Sequence, residues 1–182
     1  MKIFISGGCK NGKSTYAQWL VKYCAPPVPR FYIATMQSTD KEDDERILRH
    51  QQERDGWGFI TIEQYTSIEN ILQLCYHNGS FLLDSLTALL ANEMFSPTGE
   101  VDNTACDRIC QGLNKIFDKL ANIVVVSDYI YSDAFLYDEF TESYRRALAT
   151  LDRLAAQRCD IVLEATVTQI VTHKGGDLLA LH

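Results

Sequence analysis

The sequence predicts one α/β domain with a mostly parallel sheet and helices on both faces. Two observations carry this expectation. Apolar, β-branched runs recur at residues 2–6, 31–35, 59–63, 81–84, 123–128 and 161–165, and most are continuously apolar, as strands covered on both faces are. Between them, residues 13–23, 40–54, 67–74, 86–95, 103–120 and 141–157 have helical period, and such alternation implies parallel strands joined by crossover helices. A chain of 182 residues suits one core, so residues 1–182 are read as a single nucleotide-binding domain, for reasons given below.

Composition narrows the function. With 46% hydrophobic and 23% charged residues the chain is an ordinary globular one. Its 17 Lys and Arg face 24 Asp and Glu, a net charge of −7 that gives no global attraction for nucleic acid or an anionic membrane, so any bound anion must be met locally. The six cysteines, Cys9, Cys24, Cys75, Cys106, Cys110 and Cys159, form no CxxC pair, which argues against zinc. No apolar leader follows Met1, and no apolar run approaches the roughly 18 residues of a membrane span. A cytoplasmic protein with reduced thiols is expected.

Connections come next. Pro26, Pro27 and Pro29 end the first helix in a stiff connector, and residues 96–99 and 129–139 read as surface loops of the kind that hold ligand contacts. In the tail, residues 173–177 (His-Lys-Gly-Gly-Asp) are compatible with a hairpin turn between two short strands.

The strongest signal follows the first strand. Gly7, Gly8, Cys9, Lys10, Asn11, Gly12, Lys13 and Ser14 fit G-x-x-x-x-G-K-[ST] between a predicted strand and a predicted helix, the setting a phosphate-binding loop requires. Glycines let successive backbone N–H groups turn toward phosphate oxygens, and the helix N-terminus adds partial positive charge. Lys13 is placed to reach the β- and γ-phosphates, Ser14 to bind Mg²⁺, and Thr15 follows them in the nucleotide site. A second carboxylate is needed near the metal. Asp84 ends an apolar strand and is the choice, yet Asp128 ends another of the same form, and periodicity does not say which strand lies beside the loop.

Residues 40–54 lead with acids and finish with Arg46, Arg49, His50 and Arg54, an order that suits a helix dipole. Arg46, His50 and Arg54 lie four apart, one stripe that can hold a polyphosphate beside an imidazole. The same helix also reads as a solvated face, since Glu42–Arg46 and Glu45–Arg49 are favourable i,i+4 pairs.

At these residues the chain resembles the bifunctional adenosylcobinamide kinase/adenosylcobinamide-phosphate guanylyltransferases of cobalamin synthesis. The phosphate loop from Ile5 to Ser14, the strand Tyr32-Ile33-Ala34-Thr35, the segment Arg46-Ile47-Leu48-Arg49-His50 and the stretch Leu82-Leu83-Asp84-Ser85-Leu86-Thr87 with Asn92 and Phe95 carry it, in order, over about residues 1–163. The resemblance implies a P-loop NTPase-like, RecA-like fold and two reactions. A γ-phosphate passes from ATP or GTP to the hydroxyl of a corrinoid substrate. His50 then attacks the α-phosphate of GTP, expels pyrophosphate, and hands GMP to the phosphorylated corrinoid. It also implies that Arg46 and Arg54 face phosphates, that Mg²⁺ sits on Ser14 and Asp84, and that the protein forms a homo-oligomer, a trimer. The chain departs from the family at residues 128–131 (Asp-Tyr-Ile-Tyr), at residues 166–169 (Thr-Val-Thr-Gln) and at Arg49, where a second histidine is common. Two other readings stand beside this one: a P-loop kinase without guanylyl transfer, and a nucleotide-binding regulatory protein.

Overall fold

The most apolar runs take the middle of the sheet. β1 (Lys2–Gly7), β4 (Ser80–Asp84) and β5 (Asn122–Asp128) are buried along nearly their whole length, flanked by β2 (Arg30–Ala34) and β6 (Ile161–Ala165). The edges are β3 (Phe59–Glu63) and β7 (Ile170–Lys174), and the order is β3-β2-β4-β5-β1-β6-β7. All pairs are parallel except β6 with β7. The computed structural model describes residues 1–23, 28–96, 100–131, 133–167 and 169–179, with Glu42 and Arg46 described in backbone only. Cys24, Pro26, Pro27, most of the 96–99 loop, Ser132, Thr168 and His182 thus lie outside the described residues, as does the side chain of Arg46.

Adjacent residues of each central strand feed opposite layers, as the two-residue period requires. Phe81, Leu83, Ile123 and Val125 pack on one face with α4 (Leu86–Met94), α5 (Ala105–Lys119) and α6 (Glu139–Arg158). Leu82, Val124 and Val126 pack on the other with Ala17, Leu20 and Val21 of α1 (Lys13–Tyr23). This confirms the expected P-loop NTPase-like architecture. α2 (Lys41–Glu53), capped by the Asp40 side chain on the Asp43 N–H, has no buried residue among those described and packs extensively against no other element.

Three expectations need correction. β3 is an exposed edge strand, not one covered on both faces: only Phe59 and Ile62 pack, partly buried, against the two core layers. The 67–74 helix is a short 3₁₀ turn, Ile68–Asn70, followed by one turn of helix, α3 (Ile71–Leu74). In the tail the hairpin turns earlier than expected: the Thr166 N–H donates to the Gln169 carbonyl, and His173 and Lys174 belong to β7. Gly175, at φ +72°, ends that strand, and a short helix, α7 (Gly176–Leu179), follows. Cys9, Cys75, Cys106, Cys110 and Cys159 are free thiols, and among the described residues no helix is long and apolar enough to cross a membrane.

One buried acid sits behind the strand ends. Asp152 of α6 is 3% exposed, its Oδ2 accepts from the Tyr131 hydroxyl at 2.9 Å, and its Oδ1 has no hydrogen-bond partner among the described residues. Burial, with the nearby Asp128 charge, pushes its carboxyl up to about 6. Between pH about 4 and 6 the folded state therefore holds this proton more tightly than the unfolded chain, and stability falls as pH rises through that window. Asp152→Asn is expected to raise the thermal midpoint at pH 8, by up to about 3 kcal/mol of stability, and to make little difference at pH 4. Equal midpoints at pH 8 would show that the ionised carboxylate is not disfavoured.

Candidate active site

The loop between β1 and α1 is shaped by what a side chain would strike. A Cβ on Gly7 would lie 2.5 Å from the Ala165 carbonyl and 2.6 Å from Asn11 Nδ2, so only glycine passes. Asn11 donates from Nδ2 to that same carbonyl at 2.5 Å and accepts the Lys13 N–H at Oδ1, fixing the loop to β6 as it enters the helix. Gly12 turns at φ +84°, the left-handed region glycine enters without penalty.

Lys13 is buried, and its ammonium donates to the Gly8 carbonyl at 2.9 Å and pairs with Asp128 Oδ1 at 2.5 Å. The Ser14 hydroxyl donates to Asp84 Oδ1 at 3.2 Å, while Asp84 Oδ2 accepts from the Tyr32 hydroxyl at 2.9 Å. Topology explains why both acids take part. β5, carrying Asp128, lies directly beside β1, and β4, carrying Asp84, lies one strand further. α1 crosses over β5 to pack on β4 as well, which carries its first turn toward Asp84.

His50 stands at the C-terminal end of α2. Its Nδ1 is 3.3 Å from Glu53 Oε2, a contact that favours the tautomer with the proton on Nδ1 and the lone pair on Nε2. Arg54 is buried: it donates to the His50 carbonyl at 2.9 Å and to Thr61 Oγ1 at 3.2 Å, and its guanidinium lies 4.0 Å from the centre of the Tyr32 ring. Arg54 therefore holds the end of α2 against β3 and β2. Burial and the Asp84 charge raise the Tyr32 hydroxyl well above its ordinary range, so it stays protonated and donates.

Two spaces of about 300 Å³ each meet here. One lies over the phosphate loop, bounded by Lys10, Asn11, Gly12, Thr15, Arg49 and Glu53. The other is a cleft between α2, the ends of β2 and β3, and α4, with Asp84 and Asp128 in its lining. Lys13, Ser14 and His50 border both. The structure thus brings His50 together with the loop and with Asp84. His77, bonded to the Leu72 carbonyl, and His173, bonded to Glu164, are exposed and border neither space. Reasoning from sequence gave no role to Tyr32, Glu53 or Thr87, whose hydroxyl accepts the Asp128 N–H at 2.8 Å. Tyr32 lies two residues before Ala34, the residue opposite Asp84 in the β2–β4 pair, so its hydroxyl reaches that carboxylate diagonally across the strands, and this pairing is not written in either strand.

A model of the family described as cobinamide kinase / cobinamide phosphate guanyltransferase matches residues 3–170. The chain belongs to that family. Among curated members, it is 31% identical over 104 residues to the bifunctional adenosylcobalamin biosynthesis protein CobU of Escherichia coli, and 33% identical over 103 residues to that of Salmonella typhimurium. Each match covers 56% of this chain and 55% of the relative, so the chain spans about half the length of the curated relatives it matches. Solved structures extend the likeness of fold beyond the family. A KaiC-like protein of Pyrococcus horikoshii superposes with a TM-score of 0.51 at 11% identity, over 95% of this chain and 78% of that one. The flagellar accessory protein FlaH of Methanocaldococcus jannaschii gives 0.51 at 13%, over 94% and 77%.

The two acids are separable by experiment. Asp84→Asn is expected to weaken Mg²⁺-dependent binding of GTP, measured by titration calorimetry, while leaving metal-free binding within about twofold. Asp128→Asn releases Lys13 and is expected to weaken binding with or without metal. The reverse pattern would exchange the roles of the two carboxylates.

Proposed function

We propose that this chain phosphorylates cobinamide from ATP or GTP and then transfers GMP from GTP to the phosphorylated corrinoid through a guanylylated His50. The observation that carries the reading is the place of His50: a histidine on the boundary of the phosphate-loop space, sharing that boundary with Lys13 and Ser14. A nucleophile there faces the phosphate next to those the loop holds. The description of the matching family names both activities, and the curated relatives are named as bifunctional.

The residues divide the work. Backbone N–H groups of residues 8–14, with Lys13, hold the β- and γ-phosphates, and Lys10 and Arg49 add positive charge at the rim. Ser14 and Asp84 offer hard oxygen donors within hydrogen-bond distance of each other, a set that fits Mg²⁺. Among the described residues no cluster of three or more His, Cys, Asp or Glu forms a cage, so nucleotide oxygens and water complete the shell. When bound, the ion neutralises charge on the transferring phosphate. His50 attacks through Nε2 while Glu53 accepts the Nδ1 proton in a hydrogen bond and offsets the charge that builds on the ring. Arg54 serves by fixing the backbone of that histidine.

Two measurements test the reading. GTP with Mg²⁺ at about 100-fold above Kd should stabilise the protein by roughly 2.7 kcal/mol, and Lys13→Ala should remove most of this. With GTP labelled at the α-phosphate, the protein should acquire an acid-labile, base-stable label with release of pyrophosphate. Labelling should vanish in His50→Ala and persist in His77→Ala. A bound nucleotide that labels nothing would favour a kinase without guanylyl transfer, or a regulatory nucleotide binder.

A further inference from the structure

We propose that the cleft beside the phosphate loop is one acceptor site used by both transfers, receiving the hydroxyl end and later the phosphate end of the same substrate arm. This rests on the two-step reading above.

The two spaces that meet at His50 are similar in volume and differ in lining. The space over the phosphate loop is lined by polar and glycine residues alone, which suits a triphosphate. The cleft has Asp84 and Asp128, absent from the other space, and is also lined by apolar Met36, Ile47, Ala88 and Ala91. Set among polar and charged residues that include Arg54 and Glu63, these apolar side chains give the cleft a mixed lining, which suits a substrate arm that carries one reacting oxygen.

Reaction geometry assigns the direction of approach. In phosphoryl transfer the attacking and leaving oxygens lie roughly in line through phosphorus. With the β-phosphate in the loop, an acceptor hydroxyl in line with the γ-phosphate enters from the cleft, whose lining includes Asp84 and Asp128. The new bond joins the acceptor oxygen to the γ-phosphorus, the bond to the bridging oxygen breaks, and the nucleoside diphosphate leaves. The hydroxyl proton passes to one of those two carboxylates. In the second transfer a phosphate oxygen of the acceptor attacks the guanylyl phosphorus, the P–N bond breaks, and its electron pair returns to the imidazole. His50 borders the cleft, so the same arm reaches both phosphorus atoms without a second acceptor site.

The wall formed by α4 fits this use. Ala88 and Ala91 are three apart, hence on one side of the helix, and their small side chains leave the cleft open. Tyr144 lines the cleft and its ring stands 5.6 Å from that of Phe95, which is exposed. The apolar wall therefore continues onto the surface, where the body of an acceptor too large for about 300 Å³ remains outside.

Filling the cleft tests the proposal. In Ala91→Trp, GTP-dependent self-labelling and pyrophosphate release should stay within about twofold of wild type. Phosphorylation of cobinamide and transfer of label to cobinamide phosphate should both show KM raised tenfold or more. Met36→Trp, on a loop residue of the cleft lining, should act in the same direction and guards against a folding defect in the first variant. Loss of self-labelling in a folded variant would give the cleft to the donor's nucleoside and overturn the proposal. So would impairment of only one transfer, or of neither. A wild-type protein that never labels refutes the two-step reading instead, and the shared site with it.

Discussion

Parallel register is the constraint on which the site depends. Gly7 lies opposite Asp128, and Ala34 opposite Asp84, so the carboxyl ends of four strands share one edge of the sheet. Because side chains alternate across a strand, a slip of one residue would turn both acids to the wrong face. The buried pattern of β4 and β5 resists such a slip, since it would drive core side chains out of both layers at once. Lys13 and Ser14, adjacent on α1, then meet acids from two different strands.

Much of this was legible in the sequence, and the reason is locality. The phosphate loop, the six strands that feed it and the histidine helix are each set by neighbours along the chain: glycine spacing, apolar runs, an N-cap. The strand order is not local. Nothing in residues 81–84 or 123–128 says which run lies beside β1, so the choice between Asp84 and Asp128 stayed open until the sheet order divided their partners. The tail failed for a related reason. Two glycines at 175 and 176 look like a hairpin turn, but β6 needs a partner directly after Ala165, and the chain turns there without glycine.

Arg54 shows how one residue type can carry two meanings. Spacing put it on a stripe with Arg46 and His50, readable as a polyphosphate-binding or a solvated face, and the family resemblance implied a cation facing phosphates. In the fold its guanidinium is occupied by the His50 carbonyl, Thr61 and the face of Tyr32. Arginine suits this task because its planar fork can stack and donate at once, which a lysine cannot reproduce. The indication lay in β3 and β2, which supply Thr61 and Tyr32, and not in the helix.

α2 itself buries no described residue, so this one side chain does for the helix what a hydrophobic face usually does. An element held by polar contacts at one end opens at a free-energy cost far below that of the whole fold. Amide protons of α2 should accordingly exchange with solvent long before those of β4 or β5. The histidine is thus mounted on a helix with no buried described residue, and its anchorage passes through Tyr32 to Asp84, so that the carboxylate beside Ser14 and the end of α2 are mechanically in series.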